Sequence, residues 1–163
     1  MEATNREVDI CMDCENKKYK HQQTRIKGRN IMKKILFVCV ENAGRSQMAE
    51  GFTKYFGKGK VEAVSAGTMP STEVNPTVVQ VMLEKGIDIS KNKPKLVNTQ
   101  MVREADAIIV MGCDPQGFCP APFLGKVVDW KLEDPKGKPI GKVREIRDEI
   151  ERRVKKLFEE IIS

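Results

Sequence analysis

The sequence predicts an α/β fold in which a four-stranded parallel sheet carries helices on both faces. Two observations predict it. Short apolar runs alternate along the chain with segments of helical periodicity, as in folds built from strand–helix–strand units. The runs are also continuously apolar, which is typical of strands covered on both faces. Ligands of such sheets bind at the carboxyl ends of the strands, so the residues after each run are candidates for a functional site.

The individual elements follow from these patterns and from local start signals. Apolar runs predict four strands, at residues 35–39, 61–66, 106–111 and 125–130. Apolar residues spaced by three and four predict helices at residues 45–57, 76–85, 99–104 and 143–161. Asn75 and Pro76 are a cap and a first helical residue, and Asn98 or Thr99 caps the third helix. Residues 112–122 carry three prolines and are predicted to be irregular.

The length and composition predict one folded domain with an N-terminal extension. The chain has 163 residues, 40% of them hydrophobic, which is enough for a buried core. Residues 1–31 are polar and lack apolar periodicity, so we predict a flexible extension there and a folded, catalytic domain over residues 32–163. No apolar run approaches the roughly 20 residues that span a bilayer, and the N-terminus has no apolar signal region. We therefore predict a cytoplasmic protein with no membrane partner.

The charge of the chain restricts the class of partner. The formal net charge is +6, and 6% of the residues are aromatic. Nucleic-acid binding usually requires a basic stripe with stacking aromatic residues, so we predict no nucleic-acid partner. A modest positive charge suits a small anionic substrate or an acidic partner. We expect a monomer.

The extension contains Cys11 and Cys14 in a Cys-x-x-Cys pattern, and the chain's single histidine, His21. One interpretation is a solvated tail with incidental cysteines. The other is a metal or redox role, although a structural zinc usually takes four protein ligands and these residues supply three.

The strongest chemical signal is an oxyanion-binding loop with a nucleophile at its base. Cys39 ends the first apolar run, five residues follow, and Arg45 and Ser46 open a predicted helix. The intervening residues are Val40, Glu41, Asn42, Ala43 and Gly44. Arg45, the helix N-terminus and the backbone N–H groups of the loop favour a thiolate and also bind a tetrahedral oxyanion. Ser46 can donate a further hydrogen bond to the sulfur. We call residues 39–46 the cup.

Two residues are expected to shape the cup. We expect the side-chain amide of Asn42 to hold the loop in a strained conformation, and Gly44 to supply a φ that other residues resist. The alternative interpretation of Cys39 is a buried structural cysteine, which the Cys-x5-Arg-Ser spacing between strand and helix disfavours.

Three residues further along the chain complete the candidate site. Asp134, in an Asp-Pro pair after the fourth strand, is a suitable proton donor to a leaving oxygen. Cys113 and Cys119 lie on the irregular segment near the same edge of the sheet, where they can form a disulfide if the segment moves. Alternatively, they are cysteines that pack as small hydrophobic residues.

With these motifs, residues 33–160 resemble the low-molecular-weight protein tyrosine phosphatase superfamily, and most closely its thioredoxin-coupled arsenate reductases. The matching motifs are the run from Cys39 to Glu50, Ser65-Ala66-Gly67, Asp129-Trp130 and the run from Glu133 to Lys138. The resemblance implies the phosphatase-like fold and the conversion of arsenate to arsenite. It also implies that no cofactor is permanently bound and that thioredoxin is the electron donor.

The resemblance also implies a relay of three thiols. Cys39 would attack arsenate while Asp134 protonates the leaving hydroxyl, Cys113 would then attack Cys39, and Cys119 would resolve the resulting disulfide. Some members bind potassium near the loop, and Asn42, Glu50 and Ser65 match that site.

Two other functions remain open. A phosphatase that forms a phosphocysteine would use Cys39, Arg45 and Asp134 in the same way. Gly44 and Lys136-Gly137 argue against it, because tyrosine phosphatases of this superfamily typically carry a cysteine and tyrosines at those positions. A non-catalytic module that senses an anion or a metal is the third hypothesis.

Overall fold

The centre of the fold is a parallel sheet with the strand order β2-β1-β3-β4. A computed structural model describes residues 32–162. Its strands are β1 Lys33–Cys39, β2 Val61–Gly67, β3 Ala107–Val110 and β4 Val127–Asp129. Its α-helices are α1 Arg45–Gly57, α2 Pro76–Leu83, α3 Thr99–Glu104 and α4 Ile140–Ile162, and Pro115–Gly117 and Ala121–Lys126 form 3-10 turns. The predicted fold class, a four-stranded parallel sheet with helices on both faces, is confirmed.

The central position of β1 follows from its apolar sequence. Ile35, Phe37 and Cys39 belong to the core on one face of the sheet, and Leu36 and Val38 belong to the core on the other. A strand that is apolar at successive positions is covered on both faces, as in the interior of a parallel sheet, and β1 pairs with β2 on one edge and with β3 on the other. This places the end of β1, and with it Cys39, in the middle of the sheet.

The two faces are covered unequally. On the first face, α1, α2 and α4 pack on the sheet through residues such as Phe52, Val78 and Ile150. On the second face, the cover is the short helix α3, with Val102, and the segment that carries Cys119. The second face is therefore closed by the irregular segment after β3 rather than by a long helix.

The two predicted helix caps are confirmed in detail, whereas the last helix begins at Ile140 rather than at the predicted residue 143. The side chain of Asn75 accepts a hydrogen bond from the Thr77 N–H at 2.9 Å, with Pro76 as the first residue of α2. The side chain of Asn98 accepts one from the Met101 N–H, also at 2.9 Å. Each bond satisfies an N–H group that has no partner inside the helix.

The fourth strand is shorter than predicted. Residues 125–130 were expected to form it, but β4 spans three residues, because Gly125 and Lys126 belong to the preceding 3-10 turn. In that turn, the Val127 N–H bonds back to the Leu124 carbonyl oxygen. The strand lies at an edge of the sheet, where Val128 is 52% exposed. The expectation of burial on both faces is therefore wrong for β4.

The predictions for residues 1–31, including Cys11, Cys14 and His21, lie outside the described residues. Among residues 32–162, no helix is both long enough and apolar enough to span a membrane.

The packing on the first face predicts a large loss of stability when a buried side chain at the centre of α4 is shortened. Ile150 is fully buried, so Ile150→Ala should lower the free energy of unfolding by about 2–5 kcal/mol. Val128→Ala, on the exposed side of β4, should change it by no more than about 0.5 kcal/mol. Urea unfolding measures both, and a loss below about 1 kcal/mol in Ile150→Ala would contradict the described packing.

Candidate active site

Cys39 lies at the base of the cup, between the end of β1 and the start of α1, and is 2% exposed. Its Sγ is 2.9 Å from the Ser46 Oγ. The Asn42 Nδ2 donates to the same Oγ at 2.8 Å. Because the Ser46 oxygen already accepts that bond, its own proton is available to the sulfur. When Cys39 is a thiolate, which has no proton to donate, Ser46 is the donor of this bond and stabilises the negative charge on the sulfur.

Asn42 holds the turn of the cup. Its φ is +50°, in the left-handed region that costs a non-glycine residue roughly 1 kcal/mol. The Asn42 Oδ1 accepts from the Lys95 N–H at 3.0 Å and from the Gln47 Nε2 at 3.3 Å. The Gln47 Oε1 in turn accepts from the Asn92 Nδ2 at 3.0 Å. The expected role of Asn42 agrees with this network, whereas its partners Gln47, Asn92 and Lys95 were not predicted.

The backbone of the cup is anchored on its outer side. Four of its carbonyl oxygens accept hydrogen bonds of 2.8–3.1 Å from backbone N–H groups of residues 68–75. These oxygens belong to Cys39, Val40, Glu41 and Ala43. A trans peptide places the carbonyl oxygen and the next N–H group on opposite sides. The N–H groups that follow these carbonyls therefore point into the cup, where an oxyanion would lie.

This anchoring requires a glycine at the end of β2. A Cβ at Gly67 would lie 2.5 Å from the Val40 carbonyl oxygen and 2.9 Å from the Asn42 nitrogen. Real Cβ atoms are not found at such distances, so the close approach of β2 to the cup excludes any side chain at position 67. The Ser65-Ala66-Gly67 motif was recognised in the sequence, but this reason for it was not.

The guanidinium of Arg45 forms the wall of the cup. The residue is 6% exposed, and its Nη1 donates to the Leu132 carbonyl oxygen at 2.9 Å. Its Nη2 lies 3.4 Å from the Asp134 Oδ2. Gly112, which has a φ of +79°, packs so close to the guanidinium that a Cβ there would overlap Nη1. Gly112 is a residue of the site that sequence reasoning missed.

The loop after β4, residues 131–138, brings Asp134 to the cup, and we call it the Asp134 loop. The side chain of Asp134 is half exposed, and its Oδ1 accepts from the Lys136 N–H at 3.0 Å. Pro135 packs on Gly44, where a Cβ would lie 2.8 Å from its Cγ. Gly44 has a φ of −135°, which other residues adopt, so the expected reason for this glycine is wrong. Its lack of a side chain makes room for Pro135.

Cys113 and Cys119 lie on the irregular segment after β3, which we call the relay segment (residues 112–126). The Cys113 Sγ is 3.6 Å from the carbonyl oxygen of Val38, the residue before Cys39. Burial raises the pKa of the Cys113 thiol to about 11, and a charge on Cys39 acts in the same direction. Cys119 is buried in the core of the second face, and burial raises its pKa too. All three are free thiols.

The residues that match a potassium site do not form an open one. The Ser65 hydroxyl donates to the Glu50 Oε2, and the Lys54 Nζ lies 2.5 Å from the Glu50 Oε1. The Asn42 Oδ1 already accepts two hydrogen bonds. The Glu50 and Asn42 oxygens that would hold the cation already accept from donors, and an ammonium group already balances the carboxylate. The site therefore does not fit a bound potassium ion as it stands.

Together these groups enclose a small cavity of about 20 Å³. It is lined by Cys39, Glu41, Ala43, Gly44, Arg45, Asn75, Asp134, Pro135 and Lys136. A tetrahedral oxyanion in it would meet a thiol, inward N–H groups and a guanidinium fork, with a carboxyl group beside it. This arrangement is suited to nucleophilic attack on the central atom of an oxyanion.

Residues 34–163 match the family described as low molecular weight phosphotyrosine protein phosphatase. The chain belongs to this family. A curated member, the glutaredoxin arsenate reductase of a Synechocystis species, is 38% identical over 133 residues, which cover 80% of this chain and 99% of that protein.

Two solved structures of arsenate reductases are also similar to this chain. One is an arsenate reductase in the phosphate binding state, with a TM-score of 0.71 and 36% identity, covering 80% of this chain and 99% of the other. The second is the thioredoxin-dependent arsenate reductase of Corynebacterium glutamicum, with a TM-score of 0.70 and 36% identity. That alignment covers 84% of this chain and 65% of the other.

The contact between Gly112 and Arg45 predicts a specific loss of anion binding. Gly112→Ala should weaken the binding of inorganic phosphate at least about tenfold, because the guanidinium must move and loses charge-assisted hydrogen bonds. Gly86→Ala is the matched control: Gly86 also has a positive φ, +76°, but nothing lies within 4 Å of its Cβ position.

Both variants should lose about 1 kcal/mol of unfolding free energy, and Gly86→Ala should bind phosphate as the wild type does. Titration calorimetry and urea unfolding measure the two quantities. Equal phosphate affinity in both variants would contradict the role of Gly112.

The raised pKa of Cys113 predicts how the alkylation rate of this thiol changes with pH. Only the thiolate is alkylated, so the rate at which iodoacetamide modifies Cys113 should rise about tenfold per pH unit up to a pH of about 11. Peptide mass spectrometry of the reduced protein follows Cys113 separately, with glutathione as a control. A rate that levels off at or below pH 9 would contradict the burial of this thiol.

Proposed function

We propose that the protein is an arsenate reductase that reduces arsenate to arsenite through Cys39, Cys113 and Cys119. The observation that carries the proposal is the position of Cys113. Its sulfur lies against the carbonyl group of the residue before Cys39, and a charge on Cys39 influences its pKa. A second thiol beside the nucleophile, with a third on the same segment, supplies what a reduction needs and a hydrolysis does not. The names of the Synechocystis and Corynebacterium relatives support the same activity.

In the first step, the Cys39 thiolate attacks the arsenic atom. A sulfur–arsenic bond forms, one arsenic–oxygen bond breaks, and the leaving hydroxyl takes a proton from Asp134 and departs as water. Arg45 and the inward N–H groups of the cup bind the remaining oxygens, so that the negative charge stays neutralised throughout. Ser46 stabilises the thiolate before the attack.

In the second step, arsenic is reduced. Cys113, as a thiolate, attacks the Cys39 sulfur, so that a disulfide forms and the sulfur–arsenic bond breaks. The electron pair of that bond stays on arsenic, which leaves as arsenite. Because burial holds the Cys113 pKa at about 11, this thiol must lose its proton as its surroundings open or as a base accepts it.

In the third step, Cys119 attacks Cys113. A Cys113–Cys119 disulfide forms and Cys39 leaves as a thiolate, ready for another arsenate. We propose that the relay segment rearranges for this attack, because Cys119 is 5% exposed and packs in the core of the second face. Short 3-10 turns such as Pro115–Gly117 are held by few hydrogen bonds and open more readily than a long helix.

An external dithiol must then reduce the Cys113–Cys119 disulfide. We propose thioredoxin, as in the Corynebacterium relative, while the Synechocystis relative is named for glutaredoxin. A relay that such donors reduce works in a reducing compartment, which supports the predicted cytoplasmic location. The proposal includes no permanently bound cofactor and derives no step from potassium. The expected monomer remains a prediction.

A phosphatase is the second candidate, because the family description names that activity and the cup would serve it equally well. Cys39 would form a phosphocysteine and Asp134 would protonate the leaving alcohol. This function leaves Cys113 and Cys119 without a chemical role, which is why we favour the reductase.

The test is arsenate-dependent oxidation of thioredoxin, with a parallel assay using glutaredoxin and glutathione. Cys113→Ser and Cys119→Ser should each lose more than about 95% of steady-state arsenate turnover, because either change interrupts the electron path. Both variants should keep at least half of any hydrolysis of p-nitrophenyl phosphate, whereas Cys39→Ser should lose both activities. Full arsenate turnover in either relay variant would contradict the relay.

A further inference from the structure

The outer edge of the cup is bridged by an ion pair that the reaction steps above do not use. The Lys136 Nζ lies 2.6 Å from the Glu41 Oε1. Lys136 belongs to the Asp134 loop and Glu41 to the cup, so the bond joins two segments that are 95 residues apart in sequence. Both residues line the cavity.

The exposed fractions of the lining side chains show where the pair lies within the cavity. The side chains of Lys136 and Glu41 are 66% and 36% exposed, whereas Cys39 and Arg45 at the base and wall are buried. The ion pair therefore lies in the outer part of the cavity lining, together with the half-exposed Asp134. Pro135, between Asp134 and Lys136, rests on Gly44 and holds the Asp134 loop close over the cup.

We propose that Glu41 and Lys136 determine specificity: their ion pair closes the mouth of the cup and selects free tetrahedral oxyanions over oxyanions that carry an organic group. The cavity that the pair lines measures only about 20 Å³, so it leaves no room for an organic substituent beside an oxyanion. A free oxyanion can lie inside with the pair re-formed above it. An ester or a phosphonate has a substituent that must pass through the mouth and keeps the pair broken.

The size of the effect is limited by the strength of one ion pair. A ligand that allows the pair to re-form is favoured over one that does not by the free energy of the pair itself. Exposed pairs are weak, so a selection of about threefold to fivefold is expected. The hydrogen bond from Glu41 raises the pKa of Lys136, so the ammonium group stays charged over the whole working pH range.

This inference rests on the proposed function for its purpose, because an arsenate reductase has to admit only a free oxyanion, whereas a phosphatase must admit an ester. Its test, however, uses binding alone. Inorganic phosphate and phenylphosphonate are titrated calorimetrically at a pH at which both are dianions. The ratio of their dissociation constants then measures the effect of the organic group alone. The loss of a positive charge in a lysine variant weakens the binding of both dianions alike and cancels in the ratio.

The ratio of the phenylphosphonate Kd to the phosphate Kd should fall about threefold to fivefold in Glu41→Gln and in Lys136→Met. The ratio in the double variant should be no lower than in either single variant, because both changes break the same pair. Lys138→Met is the matched control: Lys138 lies in the same loop, pairs with Glu133 at 3.0 Å and does not line the cavity. Its ratio should equal that of the wild type.

Added salt should lower the wild-type ratio towards that of the variants and leave the double variant unchanged, because salt screens an exposed pair. An unchanged ratio in both single variants, or additive effects in the double variant, would overturn the proposal. Absence of arsenate reduction in the wild type would overturn the proposed function instead, and the binding ratios would still decide the role of the ion pair.

Discussion

The geometry of the cup depends on the left-handed conformation of Asn42. The side chain of this residue receives the Lys95 N–H on one side and donates to Ser46 on the other. The first bond fixes which end of the amide is the oxygen, and in the second bond the Ser46 oxygen accepts, so that Ser46 keeps its own proton for a Cys39 thiolate. A strained backbone conformation persists when surrounding bonds determine it, and Gln47 adds a further bond to the same residue. The strained turn and the position of the Ser46 hydroxyl beside Cys39 thus depend on one side chain, while the bonds from residues 68–75 direct the loop N–H groups.

Three glycines allow the remaining parts of the site to approach the cup. Gly67 admits the end of β2, Gly112 admits the Arg45 guanidinium, and Gly44 admits Pro135 of the Asp134 loop. The last two contacts bring different groups to the same thiol: the relay segment begins at Gly112, and the Asp134 loop carries Asp134, the proposed proton donor. A hydrolase and a reductase could share the cup, the guanidinium and the carboxyl group. What separates them is whether the segment after Gly112 offers a thiol, and here it offers Cys113 and Cys119.

Most of the strands and helices could be predicted from the sequence, since apolar runs and capping residues such as Asn75 and Asn98 act locally. The cup was also predictable, because its residues are contiguous and end at a helix start. Contacts between distant segments could not be predicted. The roles of Gln47 and of the Lys95 N–H depend on a loop more than 40 residues away from Gln47, and the Glu41–Lys136 pair depends on how two loops meet. The length of β4 was mispredicted because its first residues prefer a 3-10 turn, which has no apolar signature.

The central claim is that Cys113 attacks the sulfur of the Cys39–arsenic adduct and forms a Cys39–Cys113 disulfide. The most direct measurement is mass spectrometry of Cys119→Ser after a single exposure to arsenate, followed by blocking of free thiols and digestion under non-reducing conditions. The account predicts a peptide pair linked by a Cys39–Cys113 disulfide, with one arsenite released for each disulfide and no such pair after exposure to phosphate. Release of arsenite without a Cys39–Cys113 link, or a link from Cys39 to any other cysteine, would contradict it.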